Sequence, residues 1–174
     1  MSRAAFHSLG LALGLILGSG VQALPAQNPP SATVVYLVRH AEKVDESADP
    51  ELSAAGRARA VELARVLSEA GITTILSTDF LRTRGTAEPL ATALGVKVEI
   101  YDPRAAAATV SRIRSLAGPI LVVGHSNTTP GLVTAFGGDP HGTIADGEYD
   151  RLYIVVLTGE QVTTTLLRYG APSP

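Results

Sequence analysis

The sequence of 174 residues contains no cysteine, which excludes a disulfide bond and a metal site built on thiolates. It also lacks a long run of one charge sign, and its formal net charge is −2 at pH 7. A chain this close to neutrality does not favour nucleic-acid binding by its surface as a whole. The four histidines are scattered rather than set at the spacing of metal ligands, so we expect no metal and no other cofactor.

The apolar segment near the N-terminus, residues 9–17, is too short for a comfortable membrane span. A basic start precedes it, small residues follow it, and residues 21–23 fit a signal-peptidase site. This order is typical of a secretory signal, with an uncleaved anchor as the alternative. We predict a signal peptide at 1–23, a linker at 24–32 and one domain at 33–170. The protein is then exported, to the periplasm or the extracellular space, and leaves the membrane after cleavage.

Short apolar runs alternate with helical patterns throughout the predicted domain. This order predicts an α/β fold, a three-layer αβα sandwich whose sheet is mostly parallel and ends in an antiparallel C-terminal hairpin. Ligands of such sheets bind at the carboxyl ends of the strands. Strands are predicted at 33–38, 72–77, 96–100, 120–123, 152–157 and 162–167, and helices at 53–70, 81–94, 102–116 and 126–136.

Four cationic side chains follow three of the predicted strands. Arg39 and His40 come after the first strand, Arg82 begins the helix after the second, and His125 comes after the fourth. Parallel strands would bring them to one edge of the sheet, where cations repel one another unless an anion binds between them. The sequence therefore predicts a site for an anion, and a phosphoryl group suits two guanidiniums and two imidazoles.

Three segments carry these residues: LVRHAE at 37–42, STDFLRTRGTA at 77–87 and VVGHS at 122–126. Together, and in this order, they resemble the motifs of the histidine phosphatase superfamily, also called the phosphoglycerate mutase-like group. The resemblance extends over about residues 33–168 and implies a phosphoglycerate mutase-like fold. It also implies a phosphatase that needs no metal and hydrolyses phosphomonoesters through a phosphohistidine intermediate.

The resemblance also assigns the principal roles. His40 is the nucleophile that becomes phosphorylated, and Arg39, Arg82 and His125 hold the phosphoryl oxygens. A neutral imidazole nitrogen is a competent nucleophile when it is aimed in line at phosphorus. Two guanidiniums and an imidazolium would balance the charge on the oxygens during transfer.

The proton donor and the remaining ligands are less sharply indicated. In the superfamily a carboxylic acid protonates the leaving group, and Asp102, at the end of the third strand, is the candidate here, although a helix cap before Pro103 explains it equally well. Glu42 is the alternative acid, or a residue that orients another group. Ser77 and Asn127 are candidate ligands of the phosphoryl group, although a strand end and a helix cap account for them equally well.

Two positions depart from the superfamily pattern, namely Ala41 in place of glycine and Gly85 in place of glutamine. The short stretch between Arg82 and His125 holds one βα unit and no lid, which predicts an open, shallow site. The loops at 41–52 and 139–150 would form its rims. Both loops contain acidic residues, so we expect a small phosphomonoester, or a phosphoryl group on a macromolecule, rather than a highly anionic substrate.

Three other functions agree with parts of the sequence. A phosphoglycerate mutase-type transferase would use the same phosphohistidine, and a phosphate-binding module would use the same cations without catalysis. A serine hydrolase would use Ser126, which follows a strand and opens a helix as in a nucleophile elbow. That hydrolase would need His141 and Asp139 as its partners, and it would leave Arg39, His40 and Arg82 without a role.

Overall fold

The computed structural model describes residues 32–173. The predicted signal peptide and almost all of the predicted linker lie outside these residues. No helix within the described range combines the length and the apolar character that a membrane span requires. The elements, in chain order, are β1 (Thr33–Arg39), α1 (Ala54–Leu67), β2 (Thr74–Ser77), α2 (Leu81–Leu94), β3 (Val98–Ile100), α3 (Ala106–Ser115), β4 (Ile120–Gly124), α4 (Thr128–Phe136), β5 (Arg151–Thr158) and β6 (Gln161–Arg168).

The strands form one sheet in the order β3-β2-β4-β1-β5-β6. The first four strands of that order pair in parallel, and β5 and β6 add an antiparallel hairpin. Helices α1 and α2 pack on one face of the sheet, and α3 and α4 pack on the other. The predicted three-layer αβα fold with a C-terminal hairpin is therefore confirmed.

The apolar runs of β1 and β4 explain why these strands lie at the centre. Leu37 packs into the cluster beneath α3 and α4, whereas its neighbour Val38 packs into the cluster beneath α1 and α2. Val122 and Val123 in β4 divide in the same way. Since each fully buried large apolar side chain contributes about 1.5–3 kcal/mol, both faces of the sheet stabilise the central strands.

The register of the central strands places the site. Arg39 pairs with Gly124, and Ser77 pairs with Val123. The backbone N–H of His40 donates to the carbonyl of Gly124 over 2.8 Å. The residues that follow β1, β2 and β4 therefore leave the sheet side by side at its carboxyl edge.

The helix starts show which local predictions hold. Ser53 caps α1 as predicted, its side chain accepting from Gly56 N. Thr129 followed by Pro130 is typical of a helix start and predicts Thr129 as the N-cap of α4, but the helix already begins at Thr128, whose Oγ1 accepts the His125 N–H at 2.9 Å. Helix α3 begins at Ala106 rather than near Asp102, because Asp102 Oδ1 accepts the Arg104 N–H at 2.9 Å and forms a turn.

Candidate active site

A cavity of about 380 Å³ opens at the carboxyl edge of the sheet, and all four cationic residues line it. Both predicted rim loops contribute to its wall: the first through Lys43, Ser47, Ala48 and Pro50, and the second through Asp146. A larger and more apolar cavity of about 630 Å³ lies between α1 and α2 and includes none of the four. The smaller cavity is therefore the one that matches the chemistry.

His40 is 4% exposed and lies directly after β1. Its Nδ1 is 2.8 Å from the carbonyl oxygen of Ala41. Because a carbonyl can only accept, Nδ1 carries the proton and Nε2 keeps its lone pair. Burial, aided by the nearby cations, lowers the pKa of His40 to about 3, so the ring is neutral at pH 7. This protonation state is the one that a nucleophilic imidazole requires.

His125 lies beside His40, with the ring centroids 5.4 Å apart. Its Nε2 is 2.9 Å from the hydroxyl oxygen of Thr78, which is fully buried. Burial, and then the charges of Arg82 and Arg39, lowers the pKa of His125 to about 4. In the free protein the ring is therefore neutral at pH 7, and the imidazolium expected during transfer would form only when an anion binds.

Arg39 is held by the loop that precedes β5. Its Nη1 donates to the carbonyl oxygens of Ala145 at 2.8 Å, Asp146 at 2.8 Å and Glu148 at 3.0 Å. Its guanidinium also stacks 4.1 Å from the ring centroid of Tyr149. Burial lowers the pKa of Arg39, and the charge of Arg82 acts in the same direction. These contacts hold the guanidinium in one orientation.

Arg82, in the first turn of α2, is held in a similar way. Its guanidinium stacks 4.3 Å from the ring centroid of Phe80, and its Nη1 lies 3.8 Å from a carboxylate oxygen of Asp49. The same Asp49 oxygen accepts the Leu81 N–H at 2.8 Å and so caps α2. Each guanidinium of the site therefore rests on an aromatic ring, an arrangement that favours a cation.

The cations of the cavity are not fully satisfied by the protein. Among residues 32–173, the Nε atoms of both Arg39 and Arg82 are buried and have no hydrogen-bond partner. Buried donors without partners are costly, and two guanidiniums close together add repulsion. A bound tetrahedral anion would relieve the repulsion.

A model of the histidine phosphatase superfamily (branch 1) matches residues 35–105, which include Arg39, His40 and Arg82. Over these residues the chain is similar in sequence to the histidine phosphatase superfamily. His125 lies beyond the matched range, and the structure brings it to the same cavity. The likeness to the superfamily therefore rests on the matched residues, and the fold agrees with it.

Curated relatives include the probable phosphoglycerate mutase GpmB of Escherichia fergusonii, which is 42% identical over 77 residues, or 40% of this chain and 35% of that protein. A protein of the same name from Escherichia coli K12/DH10B matches with the same identity and coverage. The chain thus spans about a third of the length of the curated relatives it matches.

Solved structures of the superfamily show the same fold. A mycobacterial glucosyl-3-phosphoglycerate phosphatase aligns with a TM-score of 0.63 and 17% identity, covering 81% of this chain and 100% of that one. The protein histidine phosphatase SixA complexed with tungstate aligns with a TM-score of 0.62 and 20% identity, covering 80% and 97%. Both likenesses establish the architecture, and the sequences themselves have diverged widely.

The two departures from the superfamily pattern lie together beside the site. Ala41 is fully buried and packs with Leu52 and Ala60 in a small apolar cluster. A Cβ at Gly85 would lie 3.3 Å from Leu52 Cδ1. Leu52 therefore borders position 85, and a side chain there would require Leu52 to shift by a few tenths of an ångström.

The remaining candidate phosphoryl ligands separate into two groups. Asn127 lines the cavity, and its side chain makes no cap hydrogen bond to α4. Ser126 also lines the cavity. Ser77 is fully buried, does not line the cavity, and donates its hydroxyl to the Thr78 carbonyl at 2.9 Å. Of the two predicted ligands, the structure therefore brings only Asn127 to the cavity.

Neither predicted acid lines the cavity. The Asp102 carboxylate binds Arg104 through two oxygens, at 3.0 and 2.9 Å, and lies in a neighbouring cavity across the Phe80 ring. The Glu42 carboxylate binds Arg59 at 2.7–3.0 Å. Each carboxylate already has an arginine partner, so the structure does not bring either one to the imidazoles.

The serine hydrolase alternative lacks its triad. His141 is exposed, lies 3.8 Å from the Asp139 carboxylate, and does not line the cavity that Ser126 lines. No group of three or more potential metal ligands occurs in the described part of the chain. The cavity therefore presents the superfamily's cations without a second set of catalytic groups.

Several residues of the site were missed by sequence reasoning. Phe80 and Tyr149 support the guanidiniums, and Thr78 and Thr83 lie behind His125. Three of these lie within the 77–87 motif, and their closeness to Arg82 in the sequence is the signal that could have indicated them. Tyr149 lies in a loop far from the other motifs, and nothing in the sequence pattern marks it.

Proposed function

We propose that this protein is a phosphatase that acts without a metal ion and transfers the phosphoryl group of its substrate to His40 and then to water. The observation that carries the proposal is the neutral His40 ring, with its Nε2 lone pair free, in a cavity walled by two fixed guanidiniums. That arrangement joins a nucleophile to the charge that stabilises a transferring phosphoryl group.

In the first step, His40 Nε2 attacks phosphorus, an N–P bond forms, and the bond from phosphorus to the leaving group breaks. Arg39 and Arg82 balance the charge of the phosphoryl oxygens, and Asn127 adds a possible hydrogen-bond donor at the rim. In the second step, water attacks the phosphohistidine, the N–P bond breaks, and inorganic phosphate leaves. His40 thereby regains its lone pair, while Nδ1–H stays bound to the Ala41 carbonyl throughout.

The acid groups of the cavity favour one class of leaving group. Among the described residues that line the cavity, Asp146 is the one with a carboxylate. It binds Arg39 through its backbone carbonyl, at 2.8 Å, and within the described residues its carboxylate makes no hydrogen bond to either imidazole. The cavity therefore suits leaving groups that depart readily, such as an aryl oxygen or the imidazole of a phosphohistidine, more than an unactivated alkyl alcohol.

The shape of the site and the solved neighbours agree with a macromolecular or a small substrate. The cavity is bounded by loop residues and is not covered by a domain within the described chain. SixA is a protein histidine phosphatase, and the mycobacterial neighbour is a glucosyl-3-phosphoglycerate phosphatase. We place a phosphohistidine side chain first and a small phosphomonoester second as substrates of this protein.

The test is turnover of p-nitrophenyl phosphate, and of a phosphohistidine peptide, in the presence of EDTA. The His40→Ala variant should lose activity, whereas His141→Ala, which alters an exposed histidine outside the cavity, should keep it. Rapid quenching of the wild type should trap phosphate that is labile in acid and stable in alkali. Full activity in His40→Ala, or an absolute need for a metal, would overturn the proposal.

We also propose export, on the sequence evidence alone. The mature protein would then begin at Leu24, after cleavage behind Ala23. Expression of the full chain in a host with two membranes, followed by fractionation and N-terminal sequencing, tests this. Recovery of intact Met1 in the cytoplasm would contradict it.

A further inference from the structure

A continuous chain of hydrogen bonds runs behind His125, away from the cavity. His125 Nε2 lies 2.9 Å from Thr78 Oγ1, and Thr78 Oγ1 lies 3.0 Å from Thr83 Oγ1. Thr83 Oγ1 in turn lies 2.8 Å from the carbonyl oxygen of Thr78 and 2.9 Å from that of Phe80. Both threonine side chains are fully buried, so water does not replace these partners.

The direction of the protons in this chain follows from its end. The two carbonyls can only accept, so the single hydroxyl proton of Thr83 goes to one of them. Thr83 Oγ1 must then accept from Thr78, because two oxygens 3.0 Å apart without a proton between them would repel. Thr78 has now used its only proton, so its oxygen accepts from His125. Nε2 of His125 is therefore the protonated nitrogen.

We propose that Thr78 and Thr83 are positioning residues that hold His125 as the Nε2–H tautomer and leave Nδ1 as the nitrogen that meets the phosphoryl group. This inference rests on the proposed function only for the identity of the ligand. The two imidazoles of the site then carry their protons on different nitrogens, Nδ1 in His40 and Nε2 in His125. Each presents a lone pair on its other nitrogen.

The other neighbours of the ring do not specify its tautomer. Phe80 lies edge to face with His125 at a centroid distance of 5.2 Å, and His40 does so at 5.4 Å. These contacts fix the plane of the ring but do not distinguish its nitrogens. Within residues 32–173, the hydroxyl of Thr78 is the hydrogen-bond partner of the His125 ring. The tautomer therefore depends on Thr78, and the direction of the Thr78 hydroxyl depends on Thr83.

The lone pair on Nδ1 of His125 lets the ring take up a proton when a phosphoryl group binds. A lone pair on Nδ1 accepts the proton of a singly protonated phosphate, or takes up a proton from water when a dianion binds and offsets the charges of Arg39 and Arg82. Either event produces an imidazolium only in the complex, where the anion stabilises it. If Nδ1 instead carried the proton in the free protein, His125 could donate one hydrogen bond but could not take up a proton there.

The first experiment is nitrogen-15 NMR of the imidazoles in the unliganded full chain, with His125 assigned through a His125→Gln variant. The expected result is a protonated Nε2 and a non-protonated Nδ1 at pH 7. This measurement needs no turnover, so it stands even if the protein proves to bind phosphate without hydrolysing it. A protonated Nδ1 in the wild type would overturn the proposal.

The second experiment compares Thr78→Val, Thr83→Val and the conservative Thr78→Ser with Thr109→Val. Thr109 is a matched control, a buried threonine whose hydroxyl donates to Ala105 O at 3.0 Å within α3. Thr78→Val should lose the single tautomer and lower kcat/KM by about 5- to 30-fold, the effect of one lost hydrogen bond to a buried group. Thr83→Val should shift the tautomer in the same direction, while Thr78→Ser and Thr109→Val should keep both properties.

Titration with inorganic phosphate links the two experiments. In the wild type, Nδ1 of His125 should gain a proton as phosphate binds. In Thr78→Val, where the ring no longer has a single tautomer, only part of the molecules should gain a proton at Nδ1. An unchanged tautomer and an unchanged kcat/KM in Thr78→Val would refute the positioning role. If Thr78→Val does not fold, the Thr78→Ser rescue and the wild-type NMR signature still decide the outcome.

Discussion

His40 and His125 lie edge to face, with 5.4 Å between their ring centroids, and their hydrogen bonds place the protons on different nitrogens. Nδ1–H of His40 binds the carbonyl of the next residue in its own loop, whereas Nε2 of His125 is held by a threonine from the neighbouring strand end. Burial makes both rings neutral at pH 7. The site is thus prepared for an anion by the guanidiniums, and the imidazoles supply lone pairs.

The two arginines should be the largest single contributors to phosphoryl transfer after His40. Arg39→Ala and Arg82→Ala should each lower kcat/KM by about 100- to 1,000-fold, the usual effect of removing one well-aimed donor to a transition-state oxygen. Arg104→Ala is the matched control, since Arg104 is exposed and pairs with Asp102 outside the cavity. Steady-state kinetics with p-nitrophenyl phosphate measures the effect. A loss below tenfold in a folded Arg82→Ala protein would contradict this prediction.

The rate should depend steeply on the leaving group, because neither Asp102 nor Glu42 reaches the cavity to protonate it. In a series from p-nitrophenyl phosphate to alkyl phosphates, kcat/KM should fall as the pKa of the leaving alcohol rises. Asp102→Asn should show the same dependence as the wild type, since Asp102 is paired with Arg104. A loss confined to alkyl substrates in Asp102→Asn would restore Asp102 as the acid, and the same result in Asp146→Asn would assign that role to Asp146.

Glu42 should matter for stability rather than for substrate binding. Its carboxylate holds Arg59, whose side chain is 4% exposed and whose Nη1 also donates to the Tyr169 carbonyl at 3.0 Å. Glu42→Gln should lower the free energy of unfolding by about 1–3 kcal/mol, because a buried guanidinium loses its charged partner. Urea denaturation measures the change, and KM should stay within twofold of the wild type.

The control for Glu42 is Glu62→Gln, which removes the partner of the exposed Arg65 on the same helix as Arg59. Exposed ion pairs contribute only about 0–1 kcal/mol, so this variant should unfold near the wild-type midpoint. Equal losses in the two variants would mean that burial of Arg59 has no energetic consequence. A large rise in KM for Glu42→Gln would return Glu42 to the binding site.

The stability of the free protein should rise with pH between about 4 and 6.5. A histidine whose pKa is lowered by folding binds its proton in the unfolded chain first, so acid favours unfolding throughout the interval between the lowered pKa and the ordinary value of 6.5. For the buried His40 the slope approaches about 1.4 kcal/mol per pH unit, and the less buried His125 adds its contribution over a narrower pH interval. Urea denaturation at pH 7, 6 and 5 measures it.

The carboxylates change the free energy of unfolding at lower pH than the histidines do, so the two effects can be separated. Hydrogen bonds to Arg151 and Arg168, opposed by burial, lower the pKa of Glu148 to about 2 from 4.5, so its stabilisation is lost only as pH falls below that ordinary value. Between pH 7 and 5 the slope should therefore shrink in His40→Gln. An identical slope in that variant would show that His40 titrates normally in the folded protein.

The order and type of every described element could be predicted from the sequence, because these depend on local patterns. Helix α2 was predicted with the bounds that the structure has, Leu81–Leu94, since Gly95 ends it in the left-handed conformation and an apolar face runs along it. The start of α4 could not be predicted, because it depends on the Thr128 hydroxyl accepting the His125 amide, a contact that competes with the proline signal two residues later.

The candidate site divides in the same way. The sequence alone predicts that the four cationic residues lie together, because parallel strands have their carboxyl ends at one edge of the sheet. These residues are Arg39, His40, Arg82 and His125. The positions of Asp102 and Glu42 could not be predicted, because Glu42 turns toward Arg59, which only the folded chain brings near, and Asp102 turns toward its close neighbour Arg104 rather than toward the cavity. A side chain in a loop takes its direction from its partner, and the choice among partners is not encoded in the local pattern.

By itself, the sequence determined the sheet, the helices and the superfamily that the cationic residues resemble, because periodicity and motif order are properties of neighbouring residues. Only the tertiary structure decided which nitrogen of each imidazole carries a proton, which aromatic ring supports each guanidinium, and which acids stay outside the cavity. Several of those features depend on contacts between residues far apart in the chain, such as Thr78 with His125 and Arg39 with Tyr149. Burial of these contacts at the sheet edge sets the protonation states, and through them the chemistry that the site can perform.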